Sequence, residues 1–401
     1  MRIGIPKEVK VREGRVALIP PAVSELVRNG HEVFIQSTAG IASGYPDEDY
    51  RRVGAQILPD AAALYGRAQL VLKVKEPIAS EYALLRKDHV LFSYLHLAAT
   101  PKLAQALKDK GLTAVAFETV EAAGKLPLLA PMSDIAGRLS VHIGTTLLHG
   151  HAGGRGVMLG GMPSAERGHV VILGAGVAGG NAAVVAAALG AQVTIFAPHR
   201  EELERMHALG PNVTALPSYA PLISEAVYSA DLLIGAVLIP GAKAPKLVTA
   251  EMVRRMKPGS VIIDISVDQG GCIETIRPTD YEHPTYIQDG VVHFGVTNMP
   301  GVVPRTAAQA LSTVLTPYVL KLATEGALND PAIAMGINVS GGKIVHPAVA
   351  AALALALFAA GEGIGGARVC GKLSGAWESI SWIPSGTALR PFALADRLCA
   401  P

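Results

Sequence analysis

The chain has 401 residues, enough for two domains or two large halves at roughly 150 residues per domain. Hydrophobic residues make up 50% and charged residues 17%, which excludes a disordered chain, while 5% aromatics and 43 glycines favour an α/β protein over an all-β sandwich. The net charge of +2 leaves no electrostatic footprint for nucleic acid.

In chain order, Arg2–Ile5 reads as a strand, residues 21–29 as an amphipathic helix and Glu32–Gln36 as the next strand. Strands at 70–75 and 90–96 follow, then a helix over Pro101–Lys110 and a strand at 113–117. This alternation implies βαβ units and a parallel sheet. A Gly-rich connection at 149–162 opens a second series. It holds a strand at His169–Leu173, a helix at 177–189, and strands at 192–196, 231–236 and 260–265. Two α/β lobes are predicted, with crossings where proline interrupts the pattern at 127–132 and 298–305. A helix at 307–322 would return the chain to the first lobe and make that lobe discontinuous. From residue 361 the chain is Gly-rich without periodicity, an extension with no assigned role.

Three scattered cysteines, Cys272, Cys370 and Cys399, offer neither a disulfide framework nor a metal site. The first ten residues lack the apolar core of a signal peptide, and the longest apolar run, 348–360, is too short to span a bilayer. A soluble, cytoplasmic protein without bound metal is expected.

Gly174-Ala175-Gly176-Val177-Ala178-Gly179 forms a GxGxxG run. Such a run is weak by itself in a Gly- and Ala-rich chain. Here it follows the apolar strand HVVIL and opens the helix NAAVVAAALG, the context of a dinucleotide fingerprint. Gly174 would permit the tight turn, Gly176 the approach of a pyrophosphate, and Gly179 close packing of helix on strand. The helix N-terminus would then face the phosphates. An NAD site usually carries an acidic residue at the tip of the next strand. The tip here is Ala197, followed by Pro198, His199 and Arg200. Nothing there repels a 2′-phosphate, and His199 and Arg200 could attract one. The cofactor is therefore NAD or NADP, unless the two residues simply open a solvated helix.

Hydride transfer on a small acid needs a proton-transferring group and cations to hold the substrate. His96 closes the apolar run VLFSYLH, at the strand end where ligands bind in open parallel sheets. Its ordinary pKa suits proton transfer near neutrality, although a lone histidine at such a place is more often structural. Lys75 ends the run LVLKVK, and Arg15 follows a glycine in VREGRVAL, where a guanidinium could grip a carboxylate in a bidentate bond. Asp268, after VIIDIS and before Gly270-Gly271, sits at another strand's rim. Asp264, inside that strand, reads as a structural hydrogen-bond acceptor.

Taken together, these stretches closely resemble the L-alanine dehydrogenases, relatives of the first domain of the proton-pumping nicotinamide nucleotide transhydrogenases. The resemblance runs through IGIPKEVKVREGRVAL, KVKEP, SYLHLA, LAPMSDIAGRLS, GGRGVMLGG, LGAGVAGGNAA, GAVLIPGAKAPKLV, DISVDQGGCIET and NMPGVVPRTAAQAL, up to about residue 349. His96 and Asp268 separate this chain from the transhydrogenase domain, which lacks both.

The resemblance implies a substrate-binding lobe from 1–130 and 305–360, a dinucleotide-binding Rossmann domain at 131–304, and the extension at 361–401. It implies oxidation of L-alanine to pyruvate and ammonia in a homo-oligomer, a hexamer by likeness. Arg15 and Lys75 would hold the substrate, His96 would be the acid/base, Asp268 a second catalytic group, and Met132 would line the pocket. Ser133, Gly174, Gly176, Val177, Ala178 and Gly179 would contact the dinucleotide. Val237, Leu238, Asn298 and Met299 would lie near the nicotinamide and its ribose. The departure is Ala197, where many members carry an aspartate, and it leaves NAD preference open. The alternative is a dehydrogenase of the same fold acting on another small amino or imino acid, or a transhydrogenase-like nucleotide-binding protein.

Overall fold

Short aliphatic runs form the strands of both lobes, and helices cover both faces of each sheet, as a buried parallel sheet requires. The structure, a computed structural model, describes residues 1–239, 244–324 and 326–359. The first sheet begins with β1 (Arg2–Ile5), β2 (Glu32–Gln36), β3 (Gln56–Leu58), β4 (Leu70–Leu72), β5 (Val90–Ser93) and β6 (Thr113–Ala116). The second contains β7 (His169–Leu173), β8 (Gln192–Ala197), β9 (Val213–Pro217), β10 (Leu232–Gly235), β11 (Val261–Asp264), β12 (Thr285–Gln288) and β13 (Val291–Phe294). The chain then rejoins the first sheet with β14 (Ile337–Ser340) and β15 (Lys343–Ile344).

The strand orders are β15-β14-β6-β5-β4-β1-β2-β3 and β12-β13-β11-β10-β7-β8-β9. Counted over the parallel strands alone, each has the doubly wound order 3-2-1-4-5-6, with switch points between β1 and β4 and between β7 and β10. The predicted α/β class with two Rossmann-like parallel sheets is therefore the observed one. The antiparallel pairs are β12 with β13, β14 with β15, and β14 with β6.

Several boundaries differ from expectation. The strands predicted at 70–75 and 90–96 stop at Leu72 and Ser93. Glu8 takes the N–H groups of Val74 and Lys75, and Glu118 takes those of Leu95 and His96, so these groups no longer serve a ladder. Lys75 and His96 consequently stand on loops beyond the strand tips. The returning helix begins at Pro304, ahead of the predicted 307, because proline is well placed in a first helical turn. The edge strands β3 and β9 and two hairpins were not anticipated. The hairpins turn at Asp289-Gly290, with φ of 52° and 75°, and at Gly341-Gly342, with φ of 55° and 77°. Positive φ at both central residues is the signature of a two-residue hairpin turn, and the dipeptides DG and GG announced it.

Residues 1–353 form one compact unit, and the second unit, from Ala354, is described only by the end of the helix Pro347–Ala359. The extension expected at 361–401 lies outside the described residues.

The helix Ala130–Leu147 carries the chain from the first sheet to the second and packs on the helix Val177–Ala188. The approach is so close that a Cβ on Gly137 would stand 2.1 Å from the carbonyl oxygen of Ala178. A Cβ on Gly176 would meet nothing within 4 Å. Gly137→Ala is expected to lower unfolding free energy by about 1–3 kcal/mol through overpacking, while Gly176→Ala stays within about 0.5 kcal/mol. Urea titration of the two variants checks the contrast.

Candidate active site

The Gly-rich turn joins β7 to the helix Val177–Ala188 at the second sheet's switch point. Gly174 has φ of 98°, a value that favours glycine, and a Cβ on Gly179 would lie 1.8 Å from the Gly174 carbonyl oxygen. Gly176 faces open space, and no side chain caps the helix that starts at Val177. The turn thus offers uncapped N–H groups and room beside them, which fits a dinucleotide pyrophosphate.

Ala197 ends β8 fully buried, paired with Pro217. His199 is the exposed N-cap of the helix Arg200–His207. Arg200 is 89% exposed and pairs with Glu204 at 2.6 Å. Arg205, one turn further on, donates to the Ala175 carbonyl at 2.7 Å and ties this helix to the Gly-rich turn.

Beside the turn lies a cleft of about 870 Å³ including its open mouth. Arg15, Lys75, His96, Met132 and Ser133 reach it from the first sheet's loops and the crossing helix. Ala178, Val237, Leu238, Asp268, Asn298 and Met299 reach it from the second sheet's side. Gly174, Gly176, Val177, Gly179, Ala197, His199 and Arg200 do not line this cavity; they follow the rim towards the β8 tip.

Arg15 is 3% exposed. The expected bidentate carboxylate bond exists within the chain: Glu13 accepts from Arg15 Nε at 2.7 Å and from Nη2 at 2.5 Å. Asn298 Oδ1 accepts from Nη2 at 2.7 Å, and Met132 Sδ lies 3.1 Å from Nη1. Burial alone would raise the Glu13 pKa, but its bonds to Arg15 and Asn298 bring it down to about 2.

Lys75 is held at the end of a buried chain of charges. Glu8 accepts from the Val74 N–H at 2.6 Å and pairs with Lys73 at 3.2 Å. Lys73 in turn pairs with Glu81 at 2.9 Å. The Lys75 ammonium is 3.9 Å from Glu76, which also pairs with Lys10. Burial pushes the Glu76 carboxyl up, and the two lysines bring it below its ordinary value.

His96 adopts a left-handed conformation, with φ of 47° and ψ of 42°. Its N–H bonds Glu118 at 2.6 Å, and its ring stacks on Tyr94 at 5.9 Å and 10°. The Tyr94 hydroxyl donates to the Leu128 carbonyl at 2.5 Å. The imidazole is thus aimed by a backbone clamp and an aromatic wall.

Asp268 is half-buried in the 3-10 turn Ile265–Gln269 that follows β11. Asp264 accepts from the N–H groups of Ser266, Cys272 and Ile273 at 2.8, 2.8 and 3.2 Å, the structural role expected of it. Val237 donates its N–H to Ser266 Oγ at 2.9 Å, which fixes the loop carrying Leu238. Tyr281 does the same for Met299 through a bond to its carbonyl at 2.9 Å. Sequence reasoning missed Glu8, Glu13, Glu76, Tyr94, Glu118 and Arg205. Only Glu13 and Glu76 carried a signal, as carboxylates within two residues of a chosen cation. Among the described residues no cluster of His, Cys, Asp or Glu could hold a metal ion, and no helix is long and apolar enough to cross a membrane.

Residues 4–136 match the alanine dehydrogenase/PNT N-terminal domain family, and residues 140–347 match its C-terminal domain family. Alanine dehydrogenase of Bacillus subtilis is 50% identical over 356 residues, covering 87% of this chain and 94% of that protein. A solved L-alanine dehydrogenase superposes with a TM-score of 0.83 at 53% identity, covering 88% of this chain and 99% of that one. A transhydrogenase structure from Sinorhizobium meliloti gives 0.75 at 27% identity, covering 86% and 100%. At about half identity to the dehydrogenases and about a quarter to the transhydrogenase over the aligned residues, this chain belongs to the alanine dehydrogenase family.

Proposed function

We propose that the chain catalyses the reversible oxidative deamination of L-alanine to pyruvate and ammonia. The observation that carries this reading is the meeting of Arg15, Lys75, His96 and Asp268 in one cleft beside a turn shaped for a dinucleotide. The bound nicotinamide dinucleotide supplies the acceptor for hydride leaving the α-carbon. The turn from Gly174 to Gly179 holds its phosphates, and Ser133, Val237, Leu238, Asn298 and Met299 hold the nicotinamide end.

Arg15 and Lys75 fix the substrate carboxylate and the heteroatom on the α-carbon, so the reacting carbon enters in one orientation. Their charges stabilise negative charge that develops on oxygen, once water has added to the iminium carbon and as the carbonyl forms. His96 takes a proton from the water that adds to the iminium carbon, then returns one to nitrogen as ammonia departs. Asp268 is the second group at the reacting centre, and Met132 shapes the pocket. Closure about the two crossings, near Met132 and near Asn298, excludes bulk water from the imine.

At the adenosine end, the buried Ala197 supports use of NADP, because no carboxylate at the strand tip opposes a 2′-phosphate. Arg200, turned to Glu204, supports that reading less. We read the protein as a cytoplasmic homo-oligomer, a hexamer by family membership. Another small amino or imino acid is the second substrate reading.

Reductive amination of pyruvate with ammonia, followed with NADH and NADPH in parallel, tests the proposal. Turnover is expected, and absence of turnover despite dinucleotide binding removes alanine as the substrate and turns the search to larger 2-oxo acids and cyclic imines. His96→Ala is expected to lower turnover by about 10²-fold or more with dinucleotide binding intact. Ala197→Asp should shift preference towards NAD; an unchanged ratio of the two cofactors means that the adenosine end is read elsewhere.

A further inference from the structure

Arg15 is not a free cation. The Glu13 carboxylate, two residues earlier, accepts Nε–H, one Nη2–H and also the Arg15 backbone N–H, the last at 3.0 Å. The other Nη2–H goes to Asn298, whose Nδ2 closes the ring on Glu13 Oε2 at 2.8 Å. Three of the five guanidinium N–H groups are thus engaged by this chain's own oxygens. The remaining pair is on Nη1, whose hydrogen-bond partner among the described residues is the Met132 thioether, a weak acceptor. The Arg15 and Glu13 side chains are 2% and 0% exposed. A buried pair of this kind returns little net stability, so stability alone is a poor account of it.

We propose that Glu13 is the positioning residue of the carboxylate site: with Asn298 it fixes the guanidinium plane so that a substrate carboxylate meets Arg15 at Nη1, end-on, and not through the side-on fork. The proposal rests on the reading of Arg15 as a substrate ligand. It also ties two distant parts of the chain together, because Asn298 sits beside Met299 on the loop that lines the cleft from the nucleotide side. The direction of the guanidinium is set jointly by the N-terminal turn and by that loop.

The test uses the full chain with Glu13→Gln and Glu13→Asp. The pyruvate dissociation constant is measured on the enzyme loaded with oxidised dinucleotide, which cannot turn over, together with KM and kcat in reductive amination and the dissociation constant of the reduced dinucleotide. Gln offers one acceptor oxygen and presents an N–H to the guanidinium, so the plane is released. Glu13→Gln is expected to raise both pyruvate constants about tenfold or more, more than it lowers kcat, with little change in dinucleotide affinity. Glu13→Asp, which keeps the charge and both oxygens, should recover part of the loss.

Unchanged pyruvate constants overturn the proposal. Lowered constants overturn it too, because Glu13 would then compete with substrate for Arg15. If Glu13→Gln does not fold, Asn298→Ser removes the amide while leaving the Glu13–Arg15 pair. It should also raise the pyruvate constants, and no change in either it or Glu13→Asp overturns the proposal. Wild-type protein that neither binds nor turns over pyruvate removes the functional reading itself, and this inference with it. That result is distinct because it precedes any variant.

Discussion

Charge buried in a cleft must be compensated where it lies, and that constraint organises this molecule. Arg15 is matched by Glu13, Lys73 by Glu8 and Glu81, and Lys75 shares Glu76 with Lys10. Some of these acids do more than neutralise. Glu8 takes the backbone N–H groups of Val74 and Lys75 just past β4, and Glu118 does the same for Leu95 and His96 just past β5. A carboxylate that ends a strand's ladder also decides where the next side chain points. The loops carrying Lys75 and His96 are thereby set by side-chain bonds that no local propensity encodes.

The sequence was legible where one physical signal sufficed. The apolar runs of the parallel strands are buried on both faces, and the six-residue turn before Gly180 carried its own context of strand and helix. His96, Lys75 and Asp268 were found because ligands gather beyond the carboxyl ends of parallel strands. The reading failed where the deciding partner is distant. Glu118 lies 22 positions from His96 and Asn298 lies 283 positions from Arg15. The guanidinium expected to grip a substrate by its fork grips Glu13 instead, a carboxylate only two residues away whose signal was passed over. The missed hairpins are a different failure, since Asp289-Gly290 and Gly341-Gly342 were readable as turns.

Two long helices carry the chain between the sheets. Ala130–Leu147 leads out of the first and Pro304–Leu322 leads back towards it, each starting beside residues that line the cleft. The first presses Gly137 against the carbonyl of Ala178, on the Gly-rich turn. Substrate-side and nucleotide-side groups are thus brought within one contact of each other by backbone packing. The same helix that touches the Gly-rich turn also delivers Met132 and Ser133 to the cleft.

The repeated strand order has a further consequence. An architecture that occurs twice supplies two equivalent crevices, one at each switch point, yet the two have opposite fates. Between β7 and β10 the chain leaves the sheet through small residues, and the crevice stays open to a large anion. Past β1 and β4 it leaves through Glu8 and Lys73, which form a buried ion pair at 3.2 Å. Opposite charges meet there, with Lys75 two residues beyond Lys73. The same strand order thus ends in a Gly-rich turn in one sheet and in a buried network of opposite charges in the other.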